Sequence, residues 1–315
     1  SAASDVYKRQ EVELAYRHDK GTVIGITGTN GKTTTTSLTY DIMKRHAKKA
    51  LLVGNIEIPY TGYALESDKD SVTVAEISSF QLETMVTFKP HVTAILNITP
   101  DHLDRHKTLE NYIAIKESIT KNQDGNDFCV LNYNDPVLRE FGKTPRCKVI
   151  FFSSSEELES GVFLRGDTMI IKENGVETPV CTTKDTSLVG MHNYENIMAA
   201  IAMTHAMGVP LDTIRQGIKE FTAVEHRIEF VAEKNGVKYY NDSKGTNPDA
   251  AIKAVYAMPS PTILIGGGYD KKSSYDEWVA TFEGRVKELL LIGKTKHDIC
   301  LLYTSPSPRD GATSR

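Results

Sequence analysis

The chain has no apolar run approaching the roughly 18 residues that span a bilayer and no signal-like apolar stretch near its start, so neither a membrane-spanning helix nor a secretory leader is expected. Cysteine is scarce: Cys129, Cys147, Cys181 and Cys300 stand far apart with no CxxC, which excludes a disulfide scaffold or cysteine-rich zinc site and fits a reducing cytoplasm. Positive charge is not in excess, since 37 Lys and Arg face 41 Asp and Glu for a net charge of -4, so there is no electrostatic footprint for nucleic acid or an anionic membrane. Repeats and low-complexity linkers are absent as well. What remains, 40% apolar and 25% charged residues over 315 positions, is the composition of a soluble protein of about two domains, each able to bury a core.

The two ends, SAASDVYKRQ and CLLYTSPSPRDGATSR, carry no periodic pattern and resemble translated adapter arms from a sequencing library. Asp5 to Gln10 can be encoded by GAT GTG TAT AAG AGA CAG. Its reverse complement, with the first base left over, begins TGT CTC TTA TAC ACA and encodes Cys300 to Thr304. Residues 1–10 and 300–315 are therefore expected to be non-native and are set aside.

Between them, β-branched runs alternate with helical patterns, as in a parallel sheet covered by helices. Strands are predicted at 23–27, 50–54, 72–77, 92–98 and 128–131, and helices at 32–46, 109–121 and 193–207. Residues 161–180 read as hairpin strands turning at Asn174-Gly175, followed by a short helix at 212–221. A second α/β run restarts after His226, with strands at 237–241, 262–265 and 288–292 and helices at 249–256 and 275–282. The expected organisation is α/β throughout: a central domain with a mostly parallel sheet over 11–224 and a truncated Rossmann-like domain over 225–299.

The segment Gly28-Thr29-Asn30-Gly31-Lys32-Thr33-Thr34 joins a buried strand to a helix start. Its glycines would let backbone N–H groups face phosphate oxygens, and the helix N-terminus adds its positive dipole end. Lys32 would neutralise the outer phosphates and the Thr33 hydroxyl would ligate Mg²⁺. The strict Walker pattern fails because Ile26 occupies its first glycine position, but GxxGKT in a strand–loop–helix context survives. The bland alternative is a glycine turn that merely caps a helix.

Strand 72–77 carries Glu76 at its carboxyl end, the end that faces ligand in open α/β sheets. The next strand runs into Asn97-Ile98-Thr99-Pro100-Asp101-His102. Glu76 and His102, read as lying at adjacent strand ends beside the phosphate loop, could share a divalent ion. Singly, each reads more readily as a cap, salt-bridge or surface residue. Lys116 reads from sequence alone as an ordinary exposed helix lysine.

ITGTNGKTTT, VGNIEIP, AEISSFQLE, LNITPDHLDRH, GMHNYENIMAA, EHRIEF, NDSKGTNPDAA and GGGYDKK occur in the order found in Mur ligases, and the chain resembles that family over essentially all of residues 22–299. EISSFQLE, HRIE and NDSKGTN are most similar to its D-glutamate-adding branch. The resemblance implies a cytoplasmic, monomeric ATP-dependent ligase of peptidoglycan precursor synthesis. It would use ATP and two Mg²⁺ to join D-glutamate to UDP-N-acetylmuramoyl-L-alanine through an acyl-phosphate.

It also implies roles. Lys32 and Thr33 would handle ATP phosphates and Mg²⁺, with Glu76 and His102 as further metal ligands. Lys116 matches a lysine that is carbamylated in the family. Asn196, Arg227 and Asp242 match positions around adenine and ribose. Asn55 and Ser78 lie where the uridine-linked substrate approaches. Lys244, Thr246 and Lys271 match the D-glutamate side, with Lys272 an equal alternative to Lys271. Family members carry an N-terminal uridine-nucleotide domain and a longer C-terminal domain, so the chain alone is expected to be inactive or nearly so. Two rival readings remain: another Mur or folylpolyglutamate-synthase-like ligase, and a nucleotide-binding module without ligase chemistry.

Overall fold

A computed structural model describes residues 11–56, 58–222, 228–269 and 274–304. The chain divides into two compact units, residues 1–224 and residues 225–315. In the first unit the strands are β1 (Thr22–Thr27), β2 (Lys49–Gly54), β3 (Ser71–Glu76), β4 (Val92–Ile95), β5 (Phe128–Asn132), β6 (Lys148–Ser153), β7 (Gly161–Arg165), β8 (Thr168–Glu173) and β9 (Val176–Thr182). They form one sheet in the order β2-β3-β1-β4-β5-β6-β7-β8-β9. Pairing is parallel from β2 to β7, and antiparallel among β7, β8 and β9.

The central strands are buried on both faces, as parallel strands between helices must be. Alternate side chains feed two cores. Ile24, Ile26, Val72, Val74, Val92 and Ala94 pack on one face against α2 (Lys32–His46), α7 (Met191–Ala206) and α8 (Leu211–Glu220). Val23, Ala75, Ile95 and Leu131 face the other way. There they meet α1 (Glu11–Tyr16), α3 (Ser79–Leu82), α5 (Leu109–Glu117) and α6 (Pro136–Phe141). A further short helix, α4 (Leu103–His106), follows β4. No helix among the described residues is long and apolar enough to cross a membrane.

The α/β expectation holds, with corrections in detail. The strand read at 92–98 ends at Ile95, because the backbone of Asn97 turns to bond the loop after β1. The helix read to residue 121 ends at Glu117 and tightens into a 3₁₀ turn, Ser118–Thr120. β6 and α6 were not marked in the sequence, although Asp135 caps α6 through Val137 N and Leu138 N and Pro136 occupies its first turn. The hairpin turn lies at Asn174-Gly175 as read, with φ of 51° and 78°.

The second unit pairs β10 (Glu229–Lys234) antiparallel with β11 (Val237–Asn241), and β12 (Thr262–Gly268) parallel with β13 (Val286–Gly293). It adds α9 (Pro248–Ala257), α10 (Asp276–Ala280) and α11 (Lys296–Thr304). Val255, Trp278, Phe282 and Ile299 form its core. Residues 300–304, read as patternless, continue α11, but Ile299 is buried while Leu301, Leu302 and Tyr303 are exposed. Residues 1–10 and 305–315 lie outside the described residues.

One carboxylate fastens α1 to the loop before β4. Glu13 is buried and accepts bonds from Val86 N at 3.0 Å, Thr87 N at 3.0 Å, Phe88 N at 3.3 Å and Thr87 Oγ1 at 2.6 Å. Burial alone would raise its pKa, but these bonds, with Arg17, hold the carboxyl below its ordinary value. A depressed carboxylate adds stability above its unfolded pKa and loses it as pH falls through the folded value. Glu13→Gln is expected to cost about 1–3 kcal/mol at pH 7. Thermal melts at pH 7 and below pH 4 should show the wild type losing more stability than the variant on acidification.

Candidate functional site

β1 ends at Thr27 in the middle of the sheet, and residues 28–31 form a loop before α2. Gly31 is the N-cap of α2 with φ 83°, a left-handed conformation costly for other residues, and a Cβ there would strike Asn196 Oδ1. The loop is held by the chain after β4. Asn30 N donates to Asn97 Oδ1 at 2.8 Å and Asn97 Nδ2 donates back to Asn30 O at 3.1 Å. Thr29 N donates to Asn97 O at 2.9 Å. Thr29 Oγ1 donates to Thr99 O at 3.1 Å, accepts from Thr99 N at 3.0 Å and lies 3.1 Å from Tyr112 Oη. The Lys32 amine folds back to donate to Gly28 O at 2.9 Å and Thr29 O at 2.8 Å. Thr33 and Thr34 are buried in the first turn of α2.

Glu76 ends β3, and His102 lies in the segment that follows β4. β3 and β4 are not neighbours, as the sequence suggested, because β1 lies between them. Glu76 pairs in register with Ile26, is 2% exposed, and accepts from Asn55 Nδ2 at 2.9 Å through Oε1. Its Oε2 is buried without a hydrogen-bond partner. Asn55 is thus placed on Glu76, and Asn55 N also donates to Glu76 O at 2.8 Å. Ser78, read as a substrate contact, caps α3. Its hydroxyl accepts from Gln81 N at 3.3 Å, and its own N–H donates to Gln81 Oε1 at 2.9 Å in a capping box. His102 has φ 53°, its Nε2 lies 3.6 Å from Asp101 Oδ2, and its ring packs 4.8 Å from that of Phe80.

Lys116 is not the exposed helix lysine that the sequence suggested. It is 1% exposed, donates to Gly28 O at 2.8 Å and sits 4.7 Å above the Tyr112 ring. Burial, and then the nearby Lys32 charge, push its pKa well below the usual lysine value, with Asp101 opposing. Sequence reading missed Asn97, Tyr112 and His106, which lock the loop and the chain around Lys116.

Lys32 and Lys116 thus meet at the Gly28 carbonyl, and Glu76 ends the strand beside β1. The Mur ligase middle domain family matches residues 26–204, and the Mur ligase glutamate ligase domain family matches 226–303. The chain belongs to the Mur ligase family. The UDP-N-acetylmuramoylalanine–D-glutamate ligase of Lachnoclostridium phytofermentans is 54% identical over 289 residues, 92% of this chain and 64% of that protein. That of Lachnospira eligens is 54% identical over 93% of this chain and 66% of its own length. The chain thus spans a little under two thirds of these relatives. Among solved structures, the UDP-N-acetylmuramoylalanyl-D-glutamyl-2,6-diaminopimelate–D-alanyl-D-alanyl ligase of Acinetobacter baumannii superposes with a TM-score of 0.71 at 18% identity, over 95% of this chain and 69% of that one. A MurF ligase from Thermotoga maritima, solved with ADP, gives 0.66 at 18% identity over 94% and 76%. At such identity these structures speak for the fold alone.

As a Mur ligase, the chain can be tested for fit to Mg²⁺. Among the described residues no three His, Cys, Asp or Glu side chains come together as a ready cage. Mg²⁺ does not require one, since it commonly takes one or two protein carboxylates and completes its shell with phosphates and water. The unpartnered buried Oε2 of Glu76, a hard anionic donor beside the loop, fits that mode. Asn196 is buried against Gly31, and its Nδ2 donates to Asn193 Oδ1 at 3.3 Å. In the second unit Asp242 accepts from Ile228 N at 3.1 Å, while Lys244 and Thr246 are exposed. Arg227, Lys271 and Lys272 lie outside the described residues.

Gly31→Ala in this Mur ligase is expected to cost ~2 kcal/mol or more, from the left-handed φ and the clash. Adding Asn196→Ala should recover the steric part and leave the conformational part, a partial rescue readable by urea unfolding.

Proposed function

We propose that the protein to which this chain belongs joins D-glutamate to UDP-N-acetylmuramoyl-L-alanine with hydrolysis of ATP to ADP and phosphate. The observation carrying this reading is a pair of buried groups beside the loop after β1: the Glu76 carboxylate, with one open oxygen, and the Lys116 amine on Gly28 O. A module that only bound nucleotide would need neither. The names of the similar proteins support the choice of substrates.

In the mechanism, the loop N–H groups and Lys32 hold the β- and γ-phosphates, for which Lys32 exchanges its contacts with Gly28 O and Thr29 O. The muramoyl-alanine carboxylate attacks the γ-phosphorus, ADP leaves, and an acyl-phosphate forms. The amine of D-glutamate attacks the acyl carbon, and phosphate departs from the tetrahedral adduct. Mg²⁺, held by Thr33, Glu76, His102 and Lys116 as its carbamate, would supply the positive charge that lets two anions meet. A buried amine kept partly neutral is the form that adds CO₂, so the Lys116 environment suits carbamylation. Asn55 orients Glu76, so the same asparagine can answer to the uridine-linked substrate. Asn196, Arg227 and Asp242 are assigned to adenine and ribose, and Lys244, Thr246 and Lys271 to the D-glutamate carboxylates.

Titration calorimetry of Mg²⁺–ATP into this chain and into Lys32→Ala tests the nucleotide site. Wild-type binding with a loss of at least about tenfold in the variant is expected, whereas equal binding would overturn the role given to the loop. For carbamylation, ¹³C NMR in labelled bicarbonate should show a carbamate resonance in the wild type that Lys116→Ala removes.

A further inference from the structure

We propose that His106 is a positioning residue that holds His102 in its ligand-facing conformation, a role that rests on the site reading above. α4 has only four residues and is bracketed by two left-handed residues, His102 at φ 53° and Lys107 at φ 72°. So short a helix cannot hold such a backbone unaided, and strain of this kind persists only where neighbours over-determine it. The neighbours converge on His106, whose side chain is fully buried. Ser79 Oγ lies 3.0 Å from His106 Nε2, and Glu83 Oε1 lies 3.2 Å from Nδ1, within ion-pair reach but not aligned as a hydrogen bond. Arg105 grips the same carboxylate through Nε at 3.1 Å and Nη2 at 2.6 Å.

Phe80 completes the clamp. Its ring lies 4.8 Å from His102, stacks on His106 at 5.4 Å, and carries the Arg105 guanidinium at 5.1 Å. On its other side His106 meets the Tyr112 ring at 5.3 Å, and Tyr112 Oη reaches Thr29 of the phosphate loop at 3.1 Å. His106 therefore joins three pieces of the site: the segment after Glu76, the strained turn bearing His102, and the loop. A histidine that only filled the core would not need to bridge all three, and its loss would weaken every function of the domain alike. The positioning role makes a narrower demand, that its loss should weaken the Mg²⁺-dependent part of nucleotide binding more than the rest.

The test measures ATP affinity of the full chain by calorimetry, with Mg²⁺ and with EDTA, for wild type, His106→Phe and Arg105→Gln. Phenylalanine keeps the ring packing and removes both polar contacts. Arg105 is half exposed, so its variant spares the core. The expected result is a Mg²⁺-dependent gain in affinity that falls by roughly tenfold in His106→Phe and less in Arg105→Gln, with the EDTA affinity kept. Equal loss with and without Mg²⁺, or an unchanged gain, would overturn the proposal. Should His106→Phe not fold, the Arg105→Gln result decides between the same two outcomes. A wild type that fails to bind ATP at all would sink the nucleotide-site reading and this inference with it, whereas normal wild-type binding with insensitive variants would sink the inference alone.

Discussion

Asn97 holds the backbone of Asn30 through both ends of its amide, and its own carbonyl takes the N–H of Thr29. A loop of small polar residues crossing the end of a sheet has no packing of its own, and its peptide groups would otherwise be left to water. Here three bonds to one residue, and a further pair through Thr29 to Thr99, make the loop an extension of the β1–β4 contact. The cost is that β4 stops at Ile95 and the following residues pair with a loop instead of a strand. The same diversion carries the chain across the carboxyl end of the sheet and delivers Asp101 and His102 there.

The β1–loop–α2 unit was legible because its signals are local: a β-branched run, two glycines, a lysine and a helix start. The turn at Asn174-Gly175 was legible for the same reason. Non-local placement was not. Strand order put β1 between β3 and β4, so the two strands are not neighbours, and His102 is brought against Phe80, just beyond Glu76, by the chain after β4. No spacing in the sequence encodes that order. Lys148–Ser153 is β-rich and forms β6, although no strand is expected there from the sequence analysis. Ser78 carries a second local signal, since its capping box with Gln81 three positions on is a pattern visible in the sequence itself.

Burial was the property least readable from sequence, and it changes the chemistry most. Residues 109–117 offer a mixed helix in which Lys116 looks like any solvated cation, yet Tyr112 and Lys116 are both buried there, one turn apart. His106 is similarly hidden within a string of charged residues. In each case a polar side chain is inside because a specific acceptor or ring awaits it, and such acceptors belong to other segments of the fold.

The two lysine amines also constrain each other. Lys32 and Lys116 both donate to the carbonyl of Gly28, at 2.9 and 2.8 Å, so two cations would share one acceptor. Burial and this repulsion act in the same direction on Lys116. A polyphosphate in the loop would draw Lys32 away and relieve that repulsion. The carbamate of Lys116 would relieve it more completely, replacing a cation with an anion beside Lys32. It could no longer donate to Gly28 O as an ammonium does, and an anionic oxygen placed against that carbonyl would be repelled. The carbamate would therefore have to turn toward positive charge, which at this end of the sheet means Lys32 or a bound cation. The geometry that makes the unmodified amine uncomfortable is thus the same geometry that would aim its modified form at the phosphates' counter-ion.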